Sequence, residues 1–337
     1  EAAREAMYAR VEEGRGICEL CPRGCRLREG AVGACRARAM SGSGIVPRTY
    51  GAVTSMSIDP IEKKPLYHYM PGAGVLSIGT YGCNLSCKFC QNWEISQREA
   101  GHRELTPEEV ARLADSVRGQ SVGVAYTYSE PLVWYEFVYD CARLLSKRGL
   151  VNVLVTNGYI NPDPFRELLP YVDAVNIDLK AFSPEFYKSV CGGDLEPVLR
   201  SIGQAYESGC HVELTTLVVP GMNDSKDEMD RLASWIAGLS PDIPLHVSRY
   251  FPSYRMTAPP TPISTLQACV DAARARLHYV YVGNATVPGG SDTVCPSCGK
   301  TVIRRHGYDR VEVLLSGRSC PACGSSIPVR LRGSEPA

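Results

Sequence analysis

The sequence has no excess of charge of either sign: Lys+Arg and Asp+Glu both number 36. No global field therefore draws it to nucleic acid or to an anionic membrane, and any polyanion site must be local. No run approaches the roughly 18 uninterrupted apolar residues of a membrane span. The start, Glu1 to Arg15, is charged rather than signal-like. Neither membrane insertion nor secretion is expected, and the expected setting is cytoplasmic. Lacking an initial Met, the chain is expected to be trimmed or a fragment. With 337 residues, 44% hydrophobic and 21% charged, disorder as the main state is excluded, and the length suits one large domain with small attachments.

Cysteine, by contrast, is abundant. An odd total of 15 cannot pair completely within one chain, and a core of this size does not need disulfides. Eleven fall into three clusters: Cys18, Cys21, Cys25 and Cys35; Cys83, Cys87 and Cys90; and Cys295, Cys298, Cys320 and Cys323. Such clusters are metal-ligand patterns and imply a reducing compartment. Cys141, Cys191, Cys210 and Cys269 are scattered and expected to be buried, with Cys191 beside Gly192-Gly193 the one to test as a thiol.

From about residue 75 to residue 284, β-rich apolar runs alternate with helix-patterned segments. Strands are expected at 75–80, 123–129, 151–157, 174–179, 211–219, 245–250 and 279–282. Thr106-Pro-Glu-Glu, Ser183-Pro-Glu and Ser225-Lys-Asp-Glu read as helix starts. The fold expected is α/β, a partial or full parallel (β/α) barrel with its chemistry at the C-terminal strand ends. The domains expected are an N-terminal four-cysteine module at 1–45, an extended connector at 46–74, the barrel at 75–290 and a C-terminal four-cysteine module at 291–332. Ser41-Gly-Ser-Gly reads as a short linker.

Cys83-x₃-Cys87-x₂-Cys90 follows the first barrel strand directly. Three thiolates at this spacing can hold three irons of a cubane cluster and leave the fourth open, which marks a reactive rather than a closed centre. A three-cysteine zinc site completed by a distant His, or plain buried thiols, are the alternatives. Later strands end in polar groups: Tyr126-Thr127-Tyr128-Ser129-Glu130, Thr156-Asn157-Gly158, Asp178-Leu-Lys180 and His246-Val-Ser248-Arg249. Glu130 could instead be a helix-starting acid, Asp178 and Lys180 an internal ion pair, and His246 a structural histidine.

The Cys-x₃-Cys-x-Phe89-Cys pattern resembles the radical S-adenosylmethionine (SAM) superfamily. The resemblance implies a [4Fe–4S] cluster on Cys83, Cys87 and Cys90 whose unique iron chelates SAM, and whose electron cleaves it to methionine and a 5′-deoxyadenosyl radical that abstracts hydrogen from substrate. It further implies Phe89, Asn92, Glu130, Thr156, Asn157, Asp178, Lys180 and His246 as cofactor-side residues. The strand-end motifs are similar to those of pyruvate formate-lyase activating enzymes, with two departures: Val155 replaces an acid of their cation site, and Thr215 replaces an Arg. Leu20-Cys-Pro-Arg-Gly-Cys, Pro60-Ile-Glu-Lys-Lys-Pro-Leu-Tyr-His68, Cys90-Gln-Asn-Trp-Glu-Ile-Ser and Ser248-Arg-Tyr-Phe-Pro-Ser-Tyr look like the AmmeMemoRadiSam system radical SAM enzymes. That resemblance implies a Memo-family protein and an AMMECR-type protein as companions, an electron donor of flavodoxin or ferredoxin type and an anaerobic setting. The substrate implied is a protein or is presented by a partner; a small molecule is the alternative.

Cys295-Pro-Ser-Cys298 and Cys320-Pro-Ala-Cys323 flank a β-rich hairpin at 302–315 and read as a Cys₄ zinc ribbon, with rubredoxin-type iron as rival. From Cys295 to Arg332 there are seven Lys/Arg against two Asp/Glu. This basic excess motivates a different class of function, a zinc-ribbon adaptor for nucleic acid or protein, although nucleic acid is not the expected partner. A metal-storage or electron-transfer protein is the third class. For Cys18, Cys21, Cys25 and Cys35, zinc is the first expectation and a second iron–sulfur cluster the alternative.

Overall fold

Parallel strands buried on both faces read as near-continuous apolar runs, and such runs build the centre of this molecule. The computed structural model describes residues 4–333; residues 1–3 of the module expected at 1–45 lie outside the described residues. One sheet contains β1 (Ser55–Pro60), β2 (Gly74–Gly79), β3 (Gly123–Tyr126), β4 (Val151–Thr156), β5 (Ala174–Asp178), β6 (His211–Val218), β7 (Leu245–Arg249) and β8 (Val280–Gly283). Neighbours follow sequence order from β1 to β8, all parallel except β1, which lies antiparallel on β2. The outer strands β1 and β8 do not pair, so the sheet is open rather than a closed barrel.

The expected strands are present, but several end early. The run expected at 123–129 stops at Tyr126, because Thr127 to Ser129 turn away and Tyr128 takes a positive φ of 71°. Between strands lie α1 (Pro107–Ser116), α2 (Tyr135–Lys147), α3 (Pro162–Leu168), α4 (Leu195–Glu207), α5 (Lys226–Leu239) and α6 (Ile263–Arg274). Thr106 and Glu109 form a complete capping box on α1, and Ser225 accepts from Glu228 N at the start of α5. Ser183 also caps, accepting from Phe186 N, but its helix is short: Pro184–Phe186 passes into a wide turn, Tyr187–Cys191, stopped by Gly192 at φ 69°.

The Ser41-Gly-Ser-Gly segment is not a linker. Strands Arg38–Ser41 and Gly44–Pro47 pair directly, with Ser41 opposite Gly44, so Gly42 and Ser43 are the tip of a two-residue hairpin. Gly42, at φ 61°, supplies the positive φ that such a turn requires. Within residues 46–74, β1 is extended as expected and forms the edge of the central sheet. At the other end Thr293–Val294, Thr301–His306 and Arg310–Val313 make a small antiparallel sheet. Its core of Cys295, Val302, Ile303, Ile327 and Val329 packs on Tyr67, Tyr279 and Tyr281. Among the described residues no helix is long and apolar enough to cross a membrane.

Buried polar side chains join these parts. Glu213 on β6 accepts from Tyr67 N (2.9 Å), His68 N (2.7 Å), His211 Nε2 (3.0 Å) and His246 Nε2 (2.7 Å). Burial alone would raise its carboxyl, but hydrogen bonds from the two histidines outweigh that and hold it well below the usual carboxylate range. His68 Nδ1 faces the Pro328 carbonyl at 3.1 Å, so Nδ1 donates and Nε2 accepts from Tyr281 Oη at 2.6 Å. Burial pushes His68 down to about 4, which keeps it neutral and in that tautomer. Arg305 of the ribbon donates to Tyr67 O (2.6 Å) and lies 3.6 Å from buried Glu62.

Candidate active site

Residues at or just beyond the C-terminal ends of β2 to β8 line one cavity of about 620 Å³, so the open sheet curves around a single site. The loop after β2 carries Cys83, Cys87 and Cys90 to its wall. Among the described residues these three sulfurs do not gather within 4.8 Å of one another. A single zinc ion would require that convergence, whereas ligands to separate irons of a cubane must stand apart. The donor set therefore fits an iron–sulfur cluster with one iron lacking a protein ligand.

Glu130, 2% exposed, is fixed by three donors: Thr156 Oγ1 (2.6 Å) and Leu132 N (2.9 Å) on Oε1, and Asn157 N (2.8 Å) on Oε2. A carboxylate accepts about four hydrogen bonds, so one position remains. Burial raises the Glu130 carboxyl to about 7, against the lowering effect of these donors. Its N-cap role at Pro131–Trp134 is thus present together with its place in the cavity wall. Asn157 Nδ2 reaches Asn84 Oδ1 (2.9 Å) and Cys83 Sγ (3.5 Å), tying the fourth strand to the cysteine loop.

Asp178 and Lys180 form an ion pair at 2.9 Å, as the alternative reading had it, and both also line the cavity. Burial would lower the lysine, but the charges of Asp178, Cys87 and Cys191 and the hydrogen bond to Asp178 together outweigh it and keep the ammonium protonated. Its Nζ lies 5.9 Å from the centre of the Phe89 ring. Asn92 Nδ2 donates to Tyr128 O at 2.6 Å. Val155 and Thr215, the two departures from the activase pattern, also face the cavity, with Thr215 Oγ1 donating to Asn176 Oδ1 at 2.9 Å. The structure does not bring His246 to the wall: its Nε2 is committed to Glu213, and Ser248, two residues on, lines the cavity instead.

Asp59, Lys64 and Tyr128 form a rim that sequence reasoning missed. Lys64 Nζ and Tyr128 Oη both donate to Asp59 Oδ2, at 2.8 and 2.7 Å. Burial alone would raise the Asp59 carboxyl, but these bonds outweigh it and hold it at about 2. The signal available was Asp59 and Lys64 five residues apart in a proline-flanked run, Asp59-Pro-Ile-Glu-Lys-Lys-Pro65, with four charges in its first six residues. Cys141, Cys191, Cys210 and Cys269 are all buried, and Ser86 N donates to Cys191 O at 2.8 Å, which sets Cys191 against the cysteine loop.

The C-terminal cysteines differ from the trio beside the central sheet. Cys295 Sγ lies 3.6 Å from Cys323 Sγ and Cys298 Sγ lies 3.6 Å from Cys320 Sγ, and all four lie within 4.8 Å. A tetrahedron with Zn–S bonds of about 2.3 Å has edges of about 3.8 Å, so these thiols are already spaced for one tetrahedral ion.

Residues 77–234 match the radical SAM superfamily. The uncharacterized protein MJ0808 of Methanocaldococcus jannaschii is 41% identical over 97% of this chain and 100% of its own length. The pyruvate formate-lyase 1-activating enzyme of Escherichia coli K12 is 29% identical over 49% of this chain and 69% of that enzyme. Streptococcus suis SuiB bound to S-adenosylmethionine shares the fold at a TM-score of 0.52 and 13% identity, over 67% of this chain and 53% of that one. With a cysteine trio on a parallel sheet and homology to the activating enzymes, residues 77–234 of the chain carry a radical SAM domain.

Proposed function

We propose that this protein generates a 5′-deoxyadenosyl radical and directs it at a protein or partner-presented substrate, as a glycyl-radical activating enzyme does. The observation that carries the reading is the cysteine trio on the same wall as Glu130, Asn157, Asp178 and Lys180. Homology to pyruvate formate-lyase and benzylsuccinate synthase activating enzymes supports the activase form. Cys83, Cys87 and Cys90 would hold the [4Fe–4S] cluster, and Phe89, Asn92, Glu130, Thr156, Asn157, Asp178 and Lys180 would hold SAM. Once bound and reduced, these groups supply the radical that removes a hydrogen atom from an unactivated carbon. Glu130 offers its remaining acceptor position to an ammonium group, while Thr156 and Asn157 fix its orientation. Lys180 stays cationic beside Asp178 and can pair with a carboxylate. Resemblance to the AmmeMemoRadiSam enzymes supports Memo-family and AMMECR-type companions, and the cluster would take its electron from a flavodoxin- or ferredoxin-type donor.

The choice between a macromolecular and a small substrate is open to one experiment. An extract from deuterium-grown cells is divided by size, and each fraction is added to reduced, reconstituted protein with SAM. Deuterium entering 5′-deoxyadenosine from the macromolecular fraction supports the proposal. Transfer only from the small-molecule filtrate overturns it.

Glu130 makes SAM binding pH-dependent. A carboxyl titrating near 7 is ionised above that pH and accepts a charge-assisted bond only in that form. SAM affinity of the reconstituted protein, measured by equilibrium dialysis, should fall by up to about tenfold per pH unit below 7. Glu130→Gln should bind more weakly above pH 7 and lose this pH dependence.

We further propose zinc in the C-terminal thiolate site. Chelation should free the ribbon from Tyr67 and Tyr281, and limited proteolysis should then cut within residues 291–333 while the central sheet survives. An unchanged digestion pattern after measured zinc loss would contradict this.

A further inference from the structure

The N-terminal cysteines do not resemble the C-terminal ones in their spacing. Cys18, Cys21, Cys25 and Cys35 line one small internal cavity with Leu27 and Arg38. Yet among the described residues no three of their sulfurs lie within 4.8 Å of one another. They remain neighbours: all four line the same cavity, and a side chain added at Gly33 would lie 3.9 Å from each of Cys25 Sγ and Cys35 Sγ. Four thiols surround a common space but stand too far apart for one tetrahedral ion. The ribbon of the same chain shows what a set spaced for one ion looks like.

The surroundings point to a buried anionic group. Arg38, 1% exposed, lines the cavity and donates from Nη1 to Cys18 Sγ at 3.6 Å. Its Nη2 pairs with buried Glu136, and its Nε has no partner among the described residues. An unpartnered buried guanidinium nitrogen is costly unless something fills the site. A multi-iron group on four thiolates carries negative charge, and hydrogen bonds to its sulfurs tune its potential.

This module also abuts the radical site. Arg23, which lines the N-terminal cavity beside Cys21, donates from Nε to Asn84 O at 2.8 Å. Asn84 Oδ1 accepts from Asn157 Nδ2, which reaches Cys83 Sγ at 3.5 Å. Gly82 is pressed so closely on this module that a Cβ there would lie 2.4 Å from Cys35 O. Arg23, Asn84 and Asn157 thus connect the lining of one site to a ligand of the other.

We infer that Cys18, Cys21, Cys25 and Cys35 hold a second iron–sulfur cluster, placed to pass electrons through the Asn84–Asn157 contact to the cluster on Cys83, Cys87 and Cys90. The identity of the metal group stands on this module alone; the relay rests on the radical SAM reading of the central site. In the relay one electron leaves the N-terminal cluster, which is oxidised, and reduces the central cluster, with no bond made or broken and no proton moved. A low-potential one-electron carrier protein re-reduces the N-terminal cluster.

The test is anaerobic reconstitution of the full chain with ferrous iron and sulfide, followed by iron, sulfide and zinc analysis. The native chain should hold about eight irons, and the Cys83→Ser/Cys87→Ser/Cys90→Ser variant about four with matching sulfide, because each cubane holds four. A variant with no iron and a second zinc ion overturns the inference. A native chain holding about four irons and two zinc ions does so without any substitution. The converse variant, Cys18→Ser/Cys21→Ser, should keep about four irons in the central site; loss of that iron alone, with the triple variant still loaded, would sink the radical SAM reading and leave this one standing. Native chain reduced with dithionite should show an electron paramagnetic resonance signal broadened by coupling between two clusters. Two uncoupled signals would overturn the relay.

Discussion

Cys87→Ala is expected to abolish SAM cleavage, taking 5′-deoxyadenosine to the level of a protein-free blank. Cys87 is a buried member of the trio, and its loss leaves two thiols for a cluster that needs three. The C-terminal site lies elsewhere in the fold and should keep its metal, so zinc content serves as the internal control for folding. Cys191 makes the experiment more informative. Ser86 N, next to Cys87, donates to Cys191 O at 2.8 Å, so Cys191 is the thiol placed to substitute when Cys87 is removed. Should Cys87→Ala retain iron and activity, Cys87→Ala/Cys191→Ala must lose both; activity surviving in the double variant would remove the trio from the mechanism.

The largest stability loss is expected at Glu213. Glu213→Ala strands two imidazole N–H groups and two backbone N–H groups in the interior at once. Removing one side of a buried charged network costs about 3–5 kcal/mol, and denaturant titration at pH 7 should show a loss of that size. A loss below about 1 kcal/mol, the scale of a typical single hydrogen bond, would contradict the network's role. The pH dependence has a definite sign. Because the folded carboxyl sits below its ordinary value, its contribution is fully present at neutral pH and is lost only as pH falls into the strongly acid range. Tyr67 and His68 hang from Glu213 and contact the ribbon, so the variant should also expose residues 291–333 to protease.

The strand and helix alternation was legible because a parallel sheet demands apolar runs and its helices begin with recognisable caps such as Thr106 and Ser225. That the cysteine trio, Glu130, Asn157, Asp178 and Lys180 share one cavity wall was legible because polar groups at strand ends contradict the apolar pattern around them. His246 broke the same pattern for another reason: its partner, Glu213, is 33 residues away on the adjacent strand, a separation invisible to local reading. Asp59 and Lys64 were read as part of a connector because prolines mask β1, whose pairing on β2 carries them to the rim. The hairpin at Gly42 looked like a linker because a tight turn and a flexible spacer share glycine and serine. The basic excess of the last module also changes meaning: Arg305 is buried and bonded to Tyr67, and Arg310 pairs with Glu312. That leaves less free charge for a nucleic-acid adaptor.

The most direct test of the central claim uses the native chain, anaerobically loaded with iron and sulfide, reduced with dithionite and given SAM. The account predicts 5′-deoxyadenosine and methionine in equal amounts, with no SAM consumed when reductant is omitted. A fully loaded, reduced protein that leaves SAM intact would contradict it.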